Sequence, residues 1–341
     1  MSSVPPSAGQ GSGHATFTMG HARFAVLDGW RGISILLVMA CHMLPLGPAA
    51  WRLNETAGPL GMSIFFALSG FLITTTLLKS DSTTGFFIRR LLRILPLAFL
   101  YLVVVLTVTG AEAYTWLVQF LFLGNYQPDL YHPLTLHFWS LCVELHFYLG
   151  IGVLSCVLGH RGLLAIPFGL VAMTIAKAVV QPDIQMQTHL RCDEILAGAT
   201  LALVYQGRLP GAASISAFLA ACPIILPIVI LLGTCHPVAK DWQWLRPYAA
   251  TIMVGCTVFA RHPAPILTYR PLRYIAEISY ALYVLHPATM AGWLGSGSGW
   301  EKYAKRPLCI LLSVALAHAS TRIYERFFID LGKRLSQAPR A

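Results

Sequence analysis

Charged side chains are scarce in this chain. Asp, Glu, Lys and Arg make up only 11% of its 341 residues, and 56% of the residues are hydrophobic. A soluble globular domain carries about 25% charged residues, so this composition excludes a soluble domain and predicts a polytopic membrane protein. The net charge of +10 does not predict nucleic-acid binding, because the basic residues lie between apolar segments and not on one patch.

Patterns that carry metal or nucleotide chemistry are also missing. The eight cysteines include no CxxC pair, and most lie in or beside apolar segments, which favours packing over a disulfide framework. No metal ligand set is therefore expected. The chain has no D-x-D motif for nucleotide sugars and no Walker A loop, which argues against a glycosyltransferase and a pump ATPase.

What the chain has in abundance is apolar segments of spanning length, for which about 20 residues are needed. About ten are present, at residues 26–46, 61–78, 91–109, 137–158, 162–180, 191–205, 212–232, 247–260, 276–294 and 307–324. The predicted fold class is all-α, a polytopic membrane bundle of about ten transmembrane helices. Residues 25–330 form this domain. Residues 1–24, rich in Ser, Gly, Pro and Thr, are predicted to be a disordered cytoplasmic tail. Residues 331–341 are predicted to be a short cytoplasmic tail.

Basic residues set the expected orientation. With ten spans, the segments on the side of the two termini carry about two thirds of the Lys and Arg residues, which places both termini in the cytoplasm. The predicted localisation is the inner (cytoplasmic) membrane, as a multi-pass protein. The oligomeric state is not indicated by the sequence.

Two polar residues in the first apolar segment lie on one helix face. Arg31 and His42 are eleven residues apart, which is about three helical turns and a rise of roughly 16 Å. A titratable side chain that deep in a membrane is costly and is often functional. The alternative is a histidine that hydrogen-bonds to a neighbouring helix.

Several motifs, taken together and in order, resemble acyltransferase family 3. These are multi-pass membrane enzymes, mostly bacterial, that O-acylate glycans and other acceptors. The resemblance rests on residues 27–32 followed by His42, and on residues 61–73, 87–96, 138–148, 278–287 and 324–326. Within 138–148, Leu145 and His146 stand where the family often has Glu and Gln, so any role of that second carboxylate is absent here or moved.

The resemblance implies transfer of an acetyl or other short acyl group from cytoplasmic acyl-CoA, with acetyl-CoA as donor substrate and no tightly bound cofactor. The acceptor would be a hydroxyl of a cell-envelope or exported polysaccharide or of its lipid-linked precursor, and membrane lipid is a further partner. Arg31 is expected to bind a coenzyme A phosphate. Arg89, Arg90 and Arg93 are candidates for a second contact, although positive-inside anchoring also explains them.

Two residues are candidates for the chemistry. His42 would act as the general base that takes the acceptor hydroxyl proton, or would carry the acyl group itself; the sequence does not separate these mechanisms. Glu144 lies within a predicted span, and an intramembrane carboxylate should have a partner. It would either orient His42, as carboxylates do in hydrolytic triads, or pair with an arginine.

Four further residues are candidates for substrate binding. Ser140 is predicted to lie one turn before Glu144 on the same face. Tyr283 and His286 share a face of a late helix and would line the cavity. Asp28 is a weaker candidate, because an ion pair with an arginine explains it better than a role in the chemistry does. The segment around Ser69 lacks the G-x-S-x-G pattern of a nucleophile elbow, which favours small-residue helix packing over a nucleophile.

Two other functions remain open from the residues alone. One is a proton-coupled secondary transporter in which His42, Glu144 and Arg31 form a proton or anion relay. The other is a polysaccharide-assembly scaffold without catalysis, which leaves the intramembrane charges unexplained. Dependence on acyl-CoA separates the enzyme from the transporter, since a transporter would release no free thiol.

Overall fold

A computed structural model describes residues 12–180, 186–260, 262 and 264–337, with backbone alone for residues 12–24. The outermost parts of the two predicted tails, residues 1–11 and 338–341, lie outside the described residues. The described residues contain α-, 3-10 and π-helices and no strand. The predicted all-α fold class is thereby confirmed.

Sixteen α-helices follow one another along the described part of the chain. They are α1 Ser12–Met43, α2 Leu53–Leu78, α3 Thr83–Val108, α4 Ala113–Phe120, α5 Phe138–Leu158, α6 Ile166–Val180, α7 Thr188–Arg191, α8 Asp193–Tyr205, α9 Ala212–Ala221, α10 Ile225–Cys235, α11 Arg246–Phe259, α12 Arg270–Glu277, α13 Ser279–Leu285, α14 Gly299–Ala304, α15 Arg306–Ala319 and α16 Arg326–Gln337. A π-helical segment, Ser320–Glu325, joins α15 to α16.

Within the described ranges, five helical runs are long and apolar enough to cross a membrane. They are Ala25–Met43, Ala49–Leu78, Thr83–Val108, Phe138–Val180 and Gly299–Gln337. A sixth is reached if α9 and α10, which bend by 89° at their junction, form one broken span. Large apolar side chains on these runs are exposed, as lipid-facing residues of a membrane protein are.

The predicted count of about ten spans is not confirmed. Two predicted spans, 191–205 and 247–260, fall on α8 and α11, which have 13 and 14 residues and are shorter than the roughly 20 that a bilayer requires. Two others, 137–158 and 162–180, belong to one helical run. Apolar composition predicts burial in either lipid or protein, and these short helices are buried in protein.

Close glycine contacts join α2 to α8 at the centre of the bundle. A Cβ atom added to Gly70 would lie 1.9 Å from the carbonyl oxygen of Ile195, and one added to Gly198 would lie 2.0 Å from that of Ala67. Only glycine allows backbones to approach so closely. The small-residue packing predicted around Ser69 and Gly70 is therefore confirmed at Gly70.

Glycines of α1 set the position of α12 in the same way. A Cβ at Gly29 would lie 2.1 Å from the carbonyl oxygen of Leu267, and one at Gly32 would lie 2.4 Å from that of Leu272. The chain around α12 thus packs directly on the α1 backbone. As a result, the arginines of α12 lie beside Arg31.

Candidate active site

A cavity of about 800 Å³ lies at the Arg31 end of α1. We call it the basic cavity, because its lining includes the arginines Arg31, Arg93, Arg270, Arg273, Arg322 and Arg326. Three carboxylates, those of Asp28, Glu277 and Glu325, also line it. Six guanidinium groups against three carboxylates leave an excess of positive charge that suits a phosphate-bearing ligand.

Asp28 makes no ion pair within 4 Å of an arginine among the described residues, where five ion pairs are found. The predicted ion pair between Asp28 and an arginine is therefore not formed in the described structure. The only ion pair of the basic cavity in that set joins Arg322 to Glu277, at 3.4 Å. Most of the lining guanidinium groups are thus left without a carboxylate partner.

A second cavity, narrow and about 70 Å³, adjoins the first one. Arg31 and Arg93 line both cavities. We call the second one the narrow cavity; its walls include Ser140 and Glu144 of α5. The predicted common face of these two residues is found in the structure.

Glu144 is held within a chain of hydrogen bonds. Its Oε1 accepts from the Ser69 hydroxyl at 3.0 Å and from the Tyr148 hydroxyl at 2.6 Å. The Tyr148 hydroxyl in turn accepts from Nε of Arg90 at 3.2 Å. Glu144 therefore fixes one wall of the narrow cavity. The two hydroxyl groups that donate to Glu144 also line this cavity, and His42 is not a partner of Glu144.

The three candidate arginines of α3 do not all lie at the same site in the structure. Arg90 and Arg93 line the narrow cavity. Arg89 lines none of the three cavities described here, because its backbone lies against Gly332 of α16, where an added Cβ would be 3.3 Å from the Arg89 Cα. Arg89 is thus not brought together with Arg31, in contrast to the prediction.

A third cavity, of about 680 Å³, lies at the His42 end of α1. We call it the histidine cavity, because His42, His137 and His286 line it. Val38, Met62 and Tyr283 line both this cavity and the narrow one. The basic, narrow and histidine cavities therefore adjoin in series, and Arg31 and His42 lie at opposite ends of the series.

His42 is exposed to the histidine cavity and has a histidine as its partner. Its Nδ1 lies 3.1 Å from Nε2 of His286. Nδ1 of His286 lies 2.8 Å from the carbonyl oxygen of Tyr283 and 3.2 Å from that of Leu282. A carbonyl oxygen can only accept, so Nδ1 of a neutral His286 carries its proton and Nε2 has the free lone pair.

This order of donors and acceptors fixes the tautomer of His42. Because Nε2 of His286 accepts, Nδ1 of His42 must donate. The remaining ring nitrogen of a neutral His42, Nε2, is then unprotonated and free to accept a proton. The sequence predicted a carboxylate, Glu144, as one possible orienting group, whereas the partner found in the structure is His286.

Tyr283 and Ser140 are tied to each other and to the helix start of α5. The Tyr283 hydroxyl donates to the carbonyl oxygen of His137 and accepts from the Ser140 hydroxyl at 2.5 Å. Nε2 of the buried His137 lies 3.2 Å from the carbonyl oxygen of Val284. These bonds attach α13 to α5 and so hold His286, which directly follows α13, against His42.

Four arginines at the two ends of the series of cavities were not predicted as site residues. Arg270 and Arg273 of α12 line the basic cavity, but in the sequence they read only as positive-inside signals. Arg191 and Arg246 line the histidine cavity and are buried. The signal that could have found them is the cluster of Arg191, Asp193 and Glu194 within an apolar segment, because such charges are expected to be functional or paired.

The described residues contain no group of three or more His, Cys, Asp or Glu side chains placed to hold a metal ion. The side chains that line the three cavities include imidazole, guanidinium, carboxylate and hydroxyl groups. Such a set suits acid–base catalysis and the binding of anions.

Comparisons with known proteins find O-acetyltransferases among the relatives of this chain. The chain is 27% identical over 329 residues to YrhL of Bacillus subtilis, which is named as a peptidoglycan O-acetyltransferase; the match covers 79% of this chain and 49% of that protein. It is 25% identical over 308 residues to the O-acetyltransferase OatA of Staphylococcus aureus, with 76% and 49% covered. Nodulation protein 10 of Rhizobium leguminosarum is 30% identical over 176 residues, with 44% and 46% covered.

The chain thus spans about half the length of the curated relatives it matches. No solved structure matches it. Residues 24–319 match the acyltransferase domain of acyltransferase family 3, and this stretch contains α2 to α15 and most of the apolar part of α1. On that match, the chain belongs to acyltransferase family 3.

Proposed function

We propose that this protein is an integral membrane O-acyltransferase that moves an acetyl or other short acyl group from acyl-CoA to a hydroxyl group. The acceptor would be a cell-envelope or exported polysaccharide, or its lipid-linked precursor. The observation that carries the proposal is the series of three adjoining cavities, with unpaired arginines at one end and His42 at the other.

The basic cavity is the donor site. The nucleotide of acyl-CoA carries several phosphate charges, which the guanidinium groups of Arg31, Arg93, Arg270 and Arg273 would bind through charge-assisted hydrogen bonds. Acyl-CoA is made in the cytoplasm, so the basic cavity would face the cytoplasm. The arginines at its mouth agree with the positive-inside rule, and the predicted inner-membrane location with both termini cytoplasmic is part of this proposal.

The narrow cavity would hold the pantetheine arm. The rise from Arg31 to His42 along α1 is roughly 16 Å. An extended arm would lie parallel to α1 between these two side chains. Both hydrogen bonds to Glu144 enter its Oε1, so Oε2 can accept from an amide N–H of the arm. Tyr283, at the junction with the histidine cavity, would lie beside the thioester.

His42 performs the transfer in the histidine cavity. As a general base, its Nε2 takes the proton of the acceptor hydroxyl while the oxygen attacks the thioester carbonyl carbon. The tetrahedral intermediate then collapses, the C–S bond breaks, and the coenzyme A sulfur leaves and takes the proton from Nε2. His286 remains neutral throughout and accepts the Nδ1–H of the imidazolium, which stabilises it.

The same nitrogen could instead attack the thioester and carry the acyl group before the acceptor arrives. The two routes differ in one observable. A single turnover with labelled acetyl-CoA and no acceptor leaves an acylated protein only if His42 is the carrier. With His42 as base, label reaches protein only as bound donor, which unfolding releases.

The test of the proposal is acyl-CoA-dependent transfer by purified protein. Release of coenzyme A thiol in the presence of a glycan acceptor is expected for the wild type, loss of turnover for His42→Ala, and a raised KM for acetyl-CoA in Arg31→Ala. The exposed Arg208→Ala is the matched control, since this arginine lies outside the three cavities.

Mass spectrometry of envelope glycans from wild-type, deletion and His42→Ala strains would identify the acceptor by loss of acyl mass. Full activity of folded His42→Ala protein would contradict the proposal. A secondary transporter, the alternative from the sequence, would neither bind coenzyme A nor release its thiol, and no specific contact in the structure favours it.

A further inference from the structure

Besides the histidines, the histidine cavity has a cationic wall formed by two arginines. Arg191 at the end of α7 and Arg246 at the start of α11 both line it. Their residues are only 4% and 5% exposed. Buried arginines at a cavity that also holds the catalytic His42 require an explanation beyond positive-inside anchoring, because buried cations are costly without partners.

A network of buried charges surrounds these two arginines. Nζ of Lys177 lies 2.6 Å from Oδ2 of Asp193, and Nη2 of Arg191 lies 3.4 Å from Oε2 of Glu194. The side chains of these four residues are at most 5% exposed. Arg246 adds a third cation to two carboxylates, so the network holds an excess positive charge.

Arg246 has no carboxylate of its own. Within the described part of the chain it forms no ion pair within 4 Å, and its Nε is buried without a hydrogen-bond partner. Glu55, the acidic residue among those that line this cavity, is exposed and is paired with Arg52 at 3.0 Å. That carboxylate is therefore already engaged and leaves Arg246 uncompensated.

Arg191 is also left with capacity to bind. Its Nε is buried without a partner in the described structure. Its guanidinium lies over the rings of Trp139 and Phe66, with distances of 5.6 and 5.9 Å to the ring centroids. Such cation–π contacts hold the guanidinium plane in one orientation, and a fixed guanidinium is suited to a planar or tetrahedral anion.

We propose that the histidine cavity binds an acceptor that carries an anionic group, a carboxylate or a phosphate, held by Arg246 and Arg191 while its hydroxyl faces His42. This inference rests on the proposed function and adds the substrate class to it. The anion supplies the charge that Arg246 lacks and the acceptors for the two unused Nε–H groups. Trp139, which lines the same cavity, offers an aromatic face beside the sugar.

The test compares three acceptors built on one N-acetylglucosamine oligomer. One is neutral, one carries a carboxylate ether on its terminal sugar, and one carries a phosphate at its reducing end. Acetyl transfer from acetyl-CoA to each is measured with the whole purified protein. The wild type is expected to use the best anionic acceptor at least tenfold better in kcat/KM than the neutral one.

Arg246→Met is the deciding variant, with Arg208→Ala as the matched control. In Arg246→Met the anionic-to-neutral ratio of kcat/KM is expected to fall at least tenfold, while the KM for acetyl-CoA stays at the wild-type value. A larger effect on the carboxylate derivative identifies an acidic sugar as the source of the anion. A larger effect on the phosphate derivative identifies a lipid-linked phosphate.

Stability provides an independent readout. Because Arg246→Met removes a buried charge without a partner, its Tm without ligand is expected to equal or exceed that of the wild type. A Tm well below that of the wild type would show that the guanidinium serves the fold and would overturn the inference.

The inference is also overturned if the wild type prefers the neutral acceptor, or if the ratio is unchanged in Arg246→Met. Either result would leave the proposed transferase function standing, because thiol release from acetyl-CoA is measured in the same assay. Absence of thiol release with all three acceptors would instead overturn the proposed function, and this inference with it.

Discussion

At the scale of single residues, the central feature is a histidine that is oriented by another histidine. In hydrolytic triads a carboxylate fixes the tautomer and stabilises the imidazolium. Here the Nδ1 of His42 meets the neutral Nε2 of His286, which is itself oriented by two backbone carbonyls. The geometry leaves the proton-accepting nitrogen of His42 facing the cavity without a carboxylate next to it.

Replacing His286 tests this positioning role. His286→Phe keeps the ring volume but removes the acceptor for the His42 Nδ1–H, so His42 can adopt the wrong tautomer. We expect kcat to fall by about 10²-fold or more, within the range that general acid–base catalysis contributes, while the KM for acetyl-CoA is unchanged. Steady-state kinetics of purified protein measure both constants.

The conservative variant separates positioning from packing. The side-chain amide of His286→Gln can place an oxygen near the former Nε2, so kcat is expected to stay within about tenfold of the wild type. If the Phe and Gln variants lose activity equally, or if only KM changes, the positioning role is wrong.

A second prediction at this scale separates two arginines that share a helix turn. Arg93 lines the basic and narrow cavities and Arg89 lines neither. Arg93→Ala is expected to raise the KM for acetyl-CoA by about tenfold, the size of one charge-assisted phosphate contact. Arg89→Ala is expected to leave it within about twofold. Equal effects of the two changes on KM would contradict the assignment of the donor site.

At the scale of helices, contacts between backbones decide where the site residues lie. Gly70 and Gly198 bring α2 and α8 together, and Gly29 and Gly32 bring α12 against α1. The sequence predicted small-residue packing around Ser69 and Gly70, which is typical of membrane helix interfaces, but not which helix would be the partner. It did not predict the contact of α12 with α1, because α12 has eight residues and all but its last two lie outside the predicted spans.

The α2–α8 contact can be tested by adding one carbon atom. Gly70→Ala would bring a Cβ to 1.9 Å from a backbone oxygen, which must force the helices apart, at a cost of about 1–3 kcal/mol. Gly150→Ala is the matched control, because nothing lies within 4 Å of its added Cβ. Thermal unfolding in detergent should show a lower Tm for the first variant and an equal or higher Tm for the second. A Gly70→Ala protein as stable as the control would refute the close contact.

The sequence predicts that a segment is helical more reliably than it predicts whether that helix crosses the membrane. Apolar runs correctly predicted an all-helical membrane protein, because backbone hydrogen bonds must be satisfied within the membrane. They did not distinguish α8 and α11, which are covered by other helices, from spans that face lipid. Hydropathy measures apolar character, and both environments select for it.

At the scale of the whole molecule, the site is assembled from helices distant in sequence. Arg31 and His42 were predictable as a pair because one helix carries both, so spacing alone places them on one face. Arg246, Arg273 and His286 line the same series of cavities but belong to other parts of the chain. No local sequence pattern shows which helices lie next to each other. The positions of these three residues in the cavities, and the contact of His42 with His286, therefore required the three-dimensional structure.

In the proposed mechanism, the acyl arm of the donor runs from the basic cavity through the narrow cavity to His42. Photocrosslinking with an acyl-CoA that bears a diazirine in its acyl group tests this most directly, with labelled residues located by mass spectrometry and excess coenzyme A as competitor. We expect labelling that coenzyme A competes away at Val38, Met62 or Tyr283, which line both the narrow and the histidine cavity. Labelling confined to the basic cavity, or to exposed lipid-facing residues, would contradict it.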